Sequence, residues 1–114
     1  LIADDAAFMR MKSASLVKEL GHDVVEAEDG AQAVEMYQSE KPDAVLMDIT
    51  MPNMDGMEAL QAILKLDPKA KIAMVTAMGQ QQVIMEAIKA GAKDFVVKPF
   101  DADRIQSALW KLVG

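Results

Sequence analysis

Short apolar runs alternate with segments whose apolar residues recur at three- and four-residue spacing, from one end of the chain to the other. Leu1-Ile2-Ala3 stops at Asp4-Asp5. Residues 7–20 then predict a helix with Met11, Leu16, Val17 and Leu20 at apolar positions and Gly21 closing it. Residues 23–27 predict a short strand before Asp29-Gly30, and Ala33, Val34 and Tyr37 mark a second helix. Residues 43–47 are a third strand, followed by a helix from Glu58 to Leu66 that turns Leu60, Ile63 and Leu64 inward and ends at Asp67-Pro68. Residues 71–77 form another buried strand, and 80–90 a helix with Ile84, Met85 and Ile88 at helical spacing, closed by Gly91. A fifth strand covers 94–98, and Asp101 is placed to cap a last helix carrying Ile105, Ala108, Leu109 and Leu112.

Five strands alternating with five helices imply a parallel sheet covered by helices on both faces. Right-handed crossovers leave few topologies, and an open doubly wound α/β sheet is the natural one. No repeat, low-complexity tract or linker interrupts the pattern, so residues 1–114 are expected to form one domain.

Composition narrows the function classes. With 114 residues and 52% apolar content the chain can bury one real core. No apolar run approaches the ~20 residues of a membrane span, and no charged-then-apolar leader suggests export. Without Cys there is neither a disulfide framework nor a thiolate zinc site, and a cytoplasmic location is the simplest expectation. A net charge of -6 argues against nucleic-acid binding by this domain, since phosphate contacts need a basic face. The missing initiator Met and a first residue already inside a strand suggest a fragment of a longer protein.

In doubly wound sheets, ligands bind beyond the carboxyl ends of the strands, near the switch in strand order. This sequence places Asp4 and Asp5 there from the first strand, Asp48 from the third, Thr76 from the fourth and Lys98 from the fifth. Each has an ordinary reading on its own: a helix N-cap for Asp4 or Asp5, a turn acid for Asp48, a β-branched strand residue for Thr76, surface charge for Lys98. Together on one edge they are a constellation. Two carboxylates ~5 Å apart repel by on the order of 3 kcal/mol at an effective dielectric of 20. Three acids therefore call for cations, and Lys98 plus a divalent ion balances them. All-oxygen ligands favour a hard ion such as Mg2+, the usual arrangement for handling phosphate. A carboxylate beside a metal and an ammonium is suited to attack phosphorus, with Thr76 donating to a phosphoryl oxygen. Asp48, on a central strand, is the best nucleophile candidate.

At this point the chain resembles the receiver domains of bacterial two-component response regulators. The resemblance rests on Asp4-Asp5, "LMDITMP" around Asp48, Thr76-Ala77 and "KPF" from Lys98, all in the family's order. The runs "DDAAFMRM" and "AMGQQ" look like the CheY-like chemotaxis type. The resemblance implies a flavodoxin-like strand order 2-1-3-4-5, with Asp48 as phosphoacceptor. Asp5 would ligate Mg2+ directly, Asp4 mainly through water, and the Thr50 backbone carbonyl would be a further ligand. Lys98 would pair with the phosphoryl group, the Lys98-Pro99 bond would be cis, and Ala77 would keep the approach to Asp48 open. Thr76 and Phe95 would be the switch pair, a hydroxyl coupled to an aromatic ring that turns inward. The face of the fourth helix, fifth strand and last helix would then change its partner affinity. Tyr is common at the ring position, so Phe95 lacks an output contact through that oxygen. Thr50 and Met78 occupy positions that resemble those tuning phosphoryl lifetime.

The implied function is a phosphorylation-controlled signalling switch rather than an enzyme. Its donor would be a sensor histidine kinase and its output a protein target such as the flagellar motor switch, with a phosphatase as a further partner. The alternative is the N-terminal receiver of a larger regulator, a chemotaxis methylesterase or transcription factor. A Mg2+-dependent phosphohydrolase fits less well: Thr50 stands where such enzymes carry a second acid, and no insertion could form a cap. A flavin or nucleotide module would need a phosphate loop where this chain has acids. A pseudo-receiver would lack part of the set. His22 reads as an exposed turn residue and the ten Met residues as fillers of core gaps, with Met9, Met51 and Met54 flanking the site. Trp110, on the last helix, is expected to be half-buried, with a place on an output surface as the alternative.

Overall fold

The computed structural model describes residues 1–77, 80–98 and 100–113. Five strands and five helices alternate: β1 (Ile2–Ala3), α1 (Ala7–Glu19), β2 (Glu26–Ala27), α2 (Gly30–Glu40), β3 (Val45–Asp48), α3 (Gly56–Leu66), β4 (Ile72–Thr76), α4 (Gln81–Ala90), β5 (Asp94–Val97) and α5 (Ala102–Val113). The strands form one parallel sheet in the order β2-β1-β3-β4-β5, as the resemblance implied. β1 and β3 are neighbours while the chain runs outward to β2 between them, so the winding direction reverses there and opens a crevice at their carboxyl ends.

Period-2 alternation divides the core between the two sheet faces. Val45, Met47, Ile72 and Met74 pack with Leu60, Ile63 and Tyr37 under α2 and α3. Leu46, Ala73, Val75 and Val96 pack on the other face with Val17, Ile105, Leu109 and Leu112, under α1 and α5. The central strands are apolar on both faces because helices cover both.

Several boundaries differ from the sequence reading. β2 pairs only over Glu26–Ala27, rather than 23–27, because β1 offers it two partners, Ile2 and Ala3. α3 begins at Gly56, not Glu58: Asp55 accepts the Glu58 N–H at 2.9 Å and closes a capping box with it. α1 has no side-chain cap at Ala6, so neither Asp4 nor Asp5 serves as its N-cap. Asp101 caps α5 as expected, accepting the Arg104 N–H at 3.0 Å.

Trp110 is a correction. It is 72% exposed, because Ile105, Ala108, Leu109 and Leu112 already form the buried stripe of α5 and position 110 falls on the opposite side. The Met residues also divide. Met47, Met51 and Met74 fill the core, whereas Met11 and Met85 are exposed large hydrophobics on α1 and α4. Ile88 is exposed as well, and Ala87 is the buried residue of α4. His22 is exposed, as expected.

Candidate active site

β1 and β3 pair in register, Ala3 beside Met47, so the residues that follow them end at the same height. That brings Asp4 and Asp5 against Asp48. One carboxylate oxygen from each of the three lies within 4.8 Å of the others. Lys98, at the end of β5, reaches across with its ammonium 3.2 Å from Asp4 Oδ2 and 3.4 Å from Asp48 Oδ2. Four of the five edge residues thus converge, and the independent ordinary readings fall away for them.

Each acid is held differently. Asp4 is buried and fully engaged: Oδ1 accepts the Ala6 N–H at 2.9 Å, and Oδ2 accepts from Lys98. Asp48 is buried too, with Oδ1 accepting the Ile49 N–H at 2.9 Å. Asp5 is exposed and carries no hydrogen bond or ion pair among the described residues.

Burial pushes the Asp48 carboxyl up to about 6, against the pull of Lys98, and the neighbouring Asp4 carboxylate adds to the rise. Burial works against the Lys98 ammonium as well, but Asp48 and Asp4 outweigh it and hold its pKa above the ordinary value. Lys98 therefore stays charged, yet among the described residues a single cation faces three carboxylates. The excess negative charge and the all-oxygen donor set fit a hard divalent ion, so the residues present suit Mg2+.

Thr76 ends β4 beside β3 and is 0% exposed. Its Oγ1 has no hydrogen-bond partner among the described residues. A buried hydroxyl left unpaired costs about 1–3 kcal/mol. Cross-strand register pairs Met74 with Phe95 and Thr76 with Val97. Thr76 and Phe95 therefore lie diagonally on one face of the sheet, within reach of coupling through side chains. Phe95 is 37% exposed.

Two glycines shape the loop after Asp48, and neither role was legible in the sequence. A Cβ on Gly56 would lie 2.0 Å from the Asp48 carbonyl oxygen, and the Gly56 N–H donates to Ile49 O at 2.7 Å. A Cβ on Gly30 would lie 2.1 Å from Met54 O, which accepts the Gly30 N–H at 3.0 Å. Asn53, at φ 68, donates to Asp29 Oδ2 at 2.8 Å and ties the same loop to the start of α2. The loop carrying exposed Thr50 is thus fixed from both ends. Met51 turns into the core instead of lining the site, and Met54 backs onto Gly30. Ala77 is exposed, with its N–H donating to Gln80 Oε1 at 2.7 Å. Met78 and the Pro99 half of the expected cis bond lie outside the described residues.

Comparison with known proteins bears on the family and the fold. The family described as "Response regulator receiver domain" matches residues 1–110. The chemotaxis protein CheY of Bacillus subtilis is 57% identical over 115 residues, covering 100% of this chain and 96% of the relative. That of Thermotoga maritima is 55% identical over 113 residues, covering 98% and 94%. A CheX–CheY complex with BeF3 and Mg2+ from Borrelia burgdorferi contains a similar structure, with TM-score 0.92 and 33% identity over 99% of this chain and 87% of that one.

Proposed function

Since this chain belongs to the response regulator receiver domain family, we propose that it is a phosphorylation-controlled signalling switch with Asp48 as the phosphoacceptor. The observation that carries the reading is the convergence of Asp4, Asp5 and Asp48 within 4.8 Å, with Lys98 bridging Asp4 and Asp48. In the reaction an Asp48 carboxylate oxygen bonds to phosphorus while the bond to the imidazole nitrogen of a kinase phosphohistidine breaks. The electron pair leaves with that nitrogen, and an aspartyl phosphate remains.

Mg2+, held by Asp5, Asp48 and the Thr50 carbonyl with Asp4 acting through water, would neutralise charge on the phosphoryl oxygens. Asp4 keeps Lys98 in place, and the ammonium follows the new phosphoryl oxygens as they form. Thr76 supplies its unpaired hydroxyl, and the phosphoryl group satisfies what the resting state leaves orphaned. Moving Thr76 toward the site vacates space on the face it shares with Phe95, so the ring turns inward. The surface of α4, β5 and α5 then favours a different partner. In this reading phosphorylation shifts an existing equilibrium by its differential interaction with the two states.

The setting we infer is chemotaxis, with the flagellar motor switch as output, supported by the 57% and 55% identity to chemotaxis proteins. The Borrelia receiver bound to CheX with BeF3 and Mg2+ supports a phosphatase among the partners. The chain serves as a signalling protein that assists only its own phosphorylation and dephosphorylation. Among the described residues no helix is long and apolar enough to cross a membrane.

Intact mass after incubation with acetyl phosphate tests the acceptor. A Mg2+-dependent gain of one phosphoryl group, absent in Asp48→Asn and released by hydroxylamine, is expected. A gain that persists in Asp48→Asn would move the acceptor elsewhere.

A further inference from the structure

Asp5 is the acid expected to meet the cation directly, yet its carboxylate has no partner of its own among the described residues. Its place depends on the backbone that carries it. The peptide preceding Asp5 contains the Asp4 carbonyl, and that carbonyl accepts a hydrogen bond from Arg10 Nη1 at 2.8 Å. On the other side of the same residue, the Asp4 N–H donates to Ala27 O at 3.1 Å. The Asp4-Asp5 peptide is thus held by α1 through Arg10, and the Ala3-Asp4 peptide before it by β2 through the N–H of Asp4.

Arg10 is itself held. Its side chain is 13% exposed, Nε lies 3.2 Å from Glu26 Oε1, and Nη2 lies 3.9 Å from Glu28 Oε1. Its ion-pair partners are therefore on and after β2, not in the acid cluster. One side of the guanidinium fork is anchored by those glutamates while Nη1 reaches the carbonyl, a geometry that a planar, five-donor group supplies and an ammonium does not.

We propose that Arg10 is a positioning residue of the cation site, fixing the peptide from which Asp5 projects. This rests on the reading of Asp4, Asp5 and Asp48 as the Mg2+ site. The two physical roles open to Arg10 have opposite signs. If it acted only as a nearby positive charge, removing it would strengthen Mg2+ binding, since like charges repel. If it positions Asp5, removing it weakens binding, as loss of groups that orient metal ligands does elsewhere.

Mg2+ binding to the folded protein, measured by titration calorimetry well below the unfolding temperature, separates these roles. Arg10→Met is expected to weaken Mg2+ affinity by about 10- to 20-fold, the lower part of the range seen when ligand-orienting groups are lost. Arg10→Lys keeps the charge but cannot span both partners, and is expected to weaken affinity by about two- to fivefold. Unchanged or tighter Mg2+ binding by folded Arg10→Met would overturn the assignment. Should that variant not fold, Arg10→Lys with wild-type affinity would overturn it equally. Wild-type protein whose Mg2+ binding is absent, or unaffected by Asp5→Asn, would overturn the metal reading itself and this assignment with it.

Discussion

Asp48 is an acid placed where an acid is unstable, and the resting protein carries that cost in its pH dependence. Its carboxyl is raised from 3.8 to about 6, chiefly by burial. A raised carboxyl pKa means the folded state holds its proton more tightly than the unfolded chain. The associated stability is fully present below about pH 4 and is lost as pH rises through about 6. One pKa unit corresponds to about 1.4 kcal/mol, so ionised Asp48 destabilises the metal-free fold at pH 7 by on the order of 1–3 kcal/mol. Asp48→Asn is therefore expected to unfold at higher denaturant than wild type at pH 7 in EDTA, with the advantage shrinking as pH falls from 6 to 4. Equal midpoints across that range would contradict burial as the origin of the shift. At this scale the sequence was informative about chemical type. Asp4, Asp5, Asp48, Thr76 and Lys98 were all readable as edge residues, because each closes an apolar run. Arg10 was not readable: its donor meets a backbone carbonyl, and backbone partners leave no trace in residue identity.

At the scale of the element, the loop between β3 and α3 matters most. Gly56 opens α3 while its Cα passes directly under the Asp48 carbonyl, where a methyl group would meet the oxygen at 2.0 Å. The oxygen is backbone, so it can yield only if the loop moves. Gly56→Ala is expected to lower stability by at least about 2 kcal/mol, well beyond the cost of an ordinary surface exchange. It should also slow acetyl phosphate labelling of whatever protein remains folded. A denaturation midpoint within error of wild type would show that the loop relaxes freely. A helix start near Glu58 was visible in the sequence, and Asp55 caps α3 two residues earlier, at Gly56. The close approach of Gly56 was not, because it is a contact with chain seven and eight residues earlier. The shortened β2 has a similar cause: an edge strand is only as long as the neighbour that pairs with it. α1 and α4 departed from expectation at Met11 and Met85, which periodicity placed with apolar positions but which the fold leaves outside.

For the whole molecule, four strands from distant parts of the chain build one acidic crevice, and a cation should stabilise all of them together. A ligand that binds only the native state adds RT ln(1 + [L]/Kd), about 2.7 kcal/mol at a hundredfold excess over Kd. Thermal unfolding followed by circular dichroism should therefore shift upward with MgCl2 for wild type. The shift should be largely abolished in Asp5→Asn, and sodium chloride of equal ionic strength should not reproduce it. A shift of the same size with both salts would reduce the effect to general screening of the -6 net charge. The sequence by itself determined the alternating architecture, the two-faced core and the identity of the edge acids. Those follow from local periodicity and from where apolar runs stop. Only the tertiary structure decided which of those groups meet: Lys98 between Asp4 and Asp48, Thr76 unpaired among the described residues, Phe95 diagonal to it, and Arg10 on the carbonyl before Asp5. Such contacts join residues up to 94 positions apart. They are fixed by strand order and register, which no local stretch of sequence encodes.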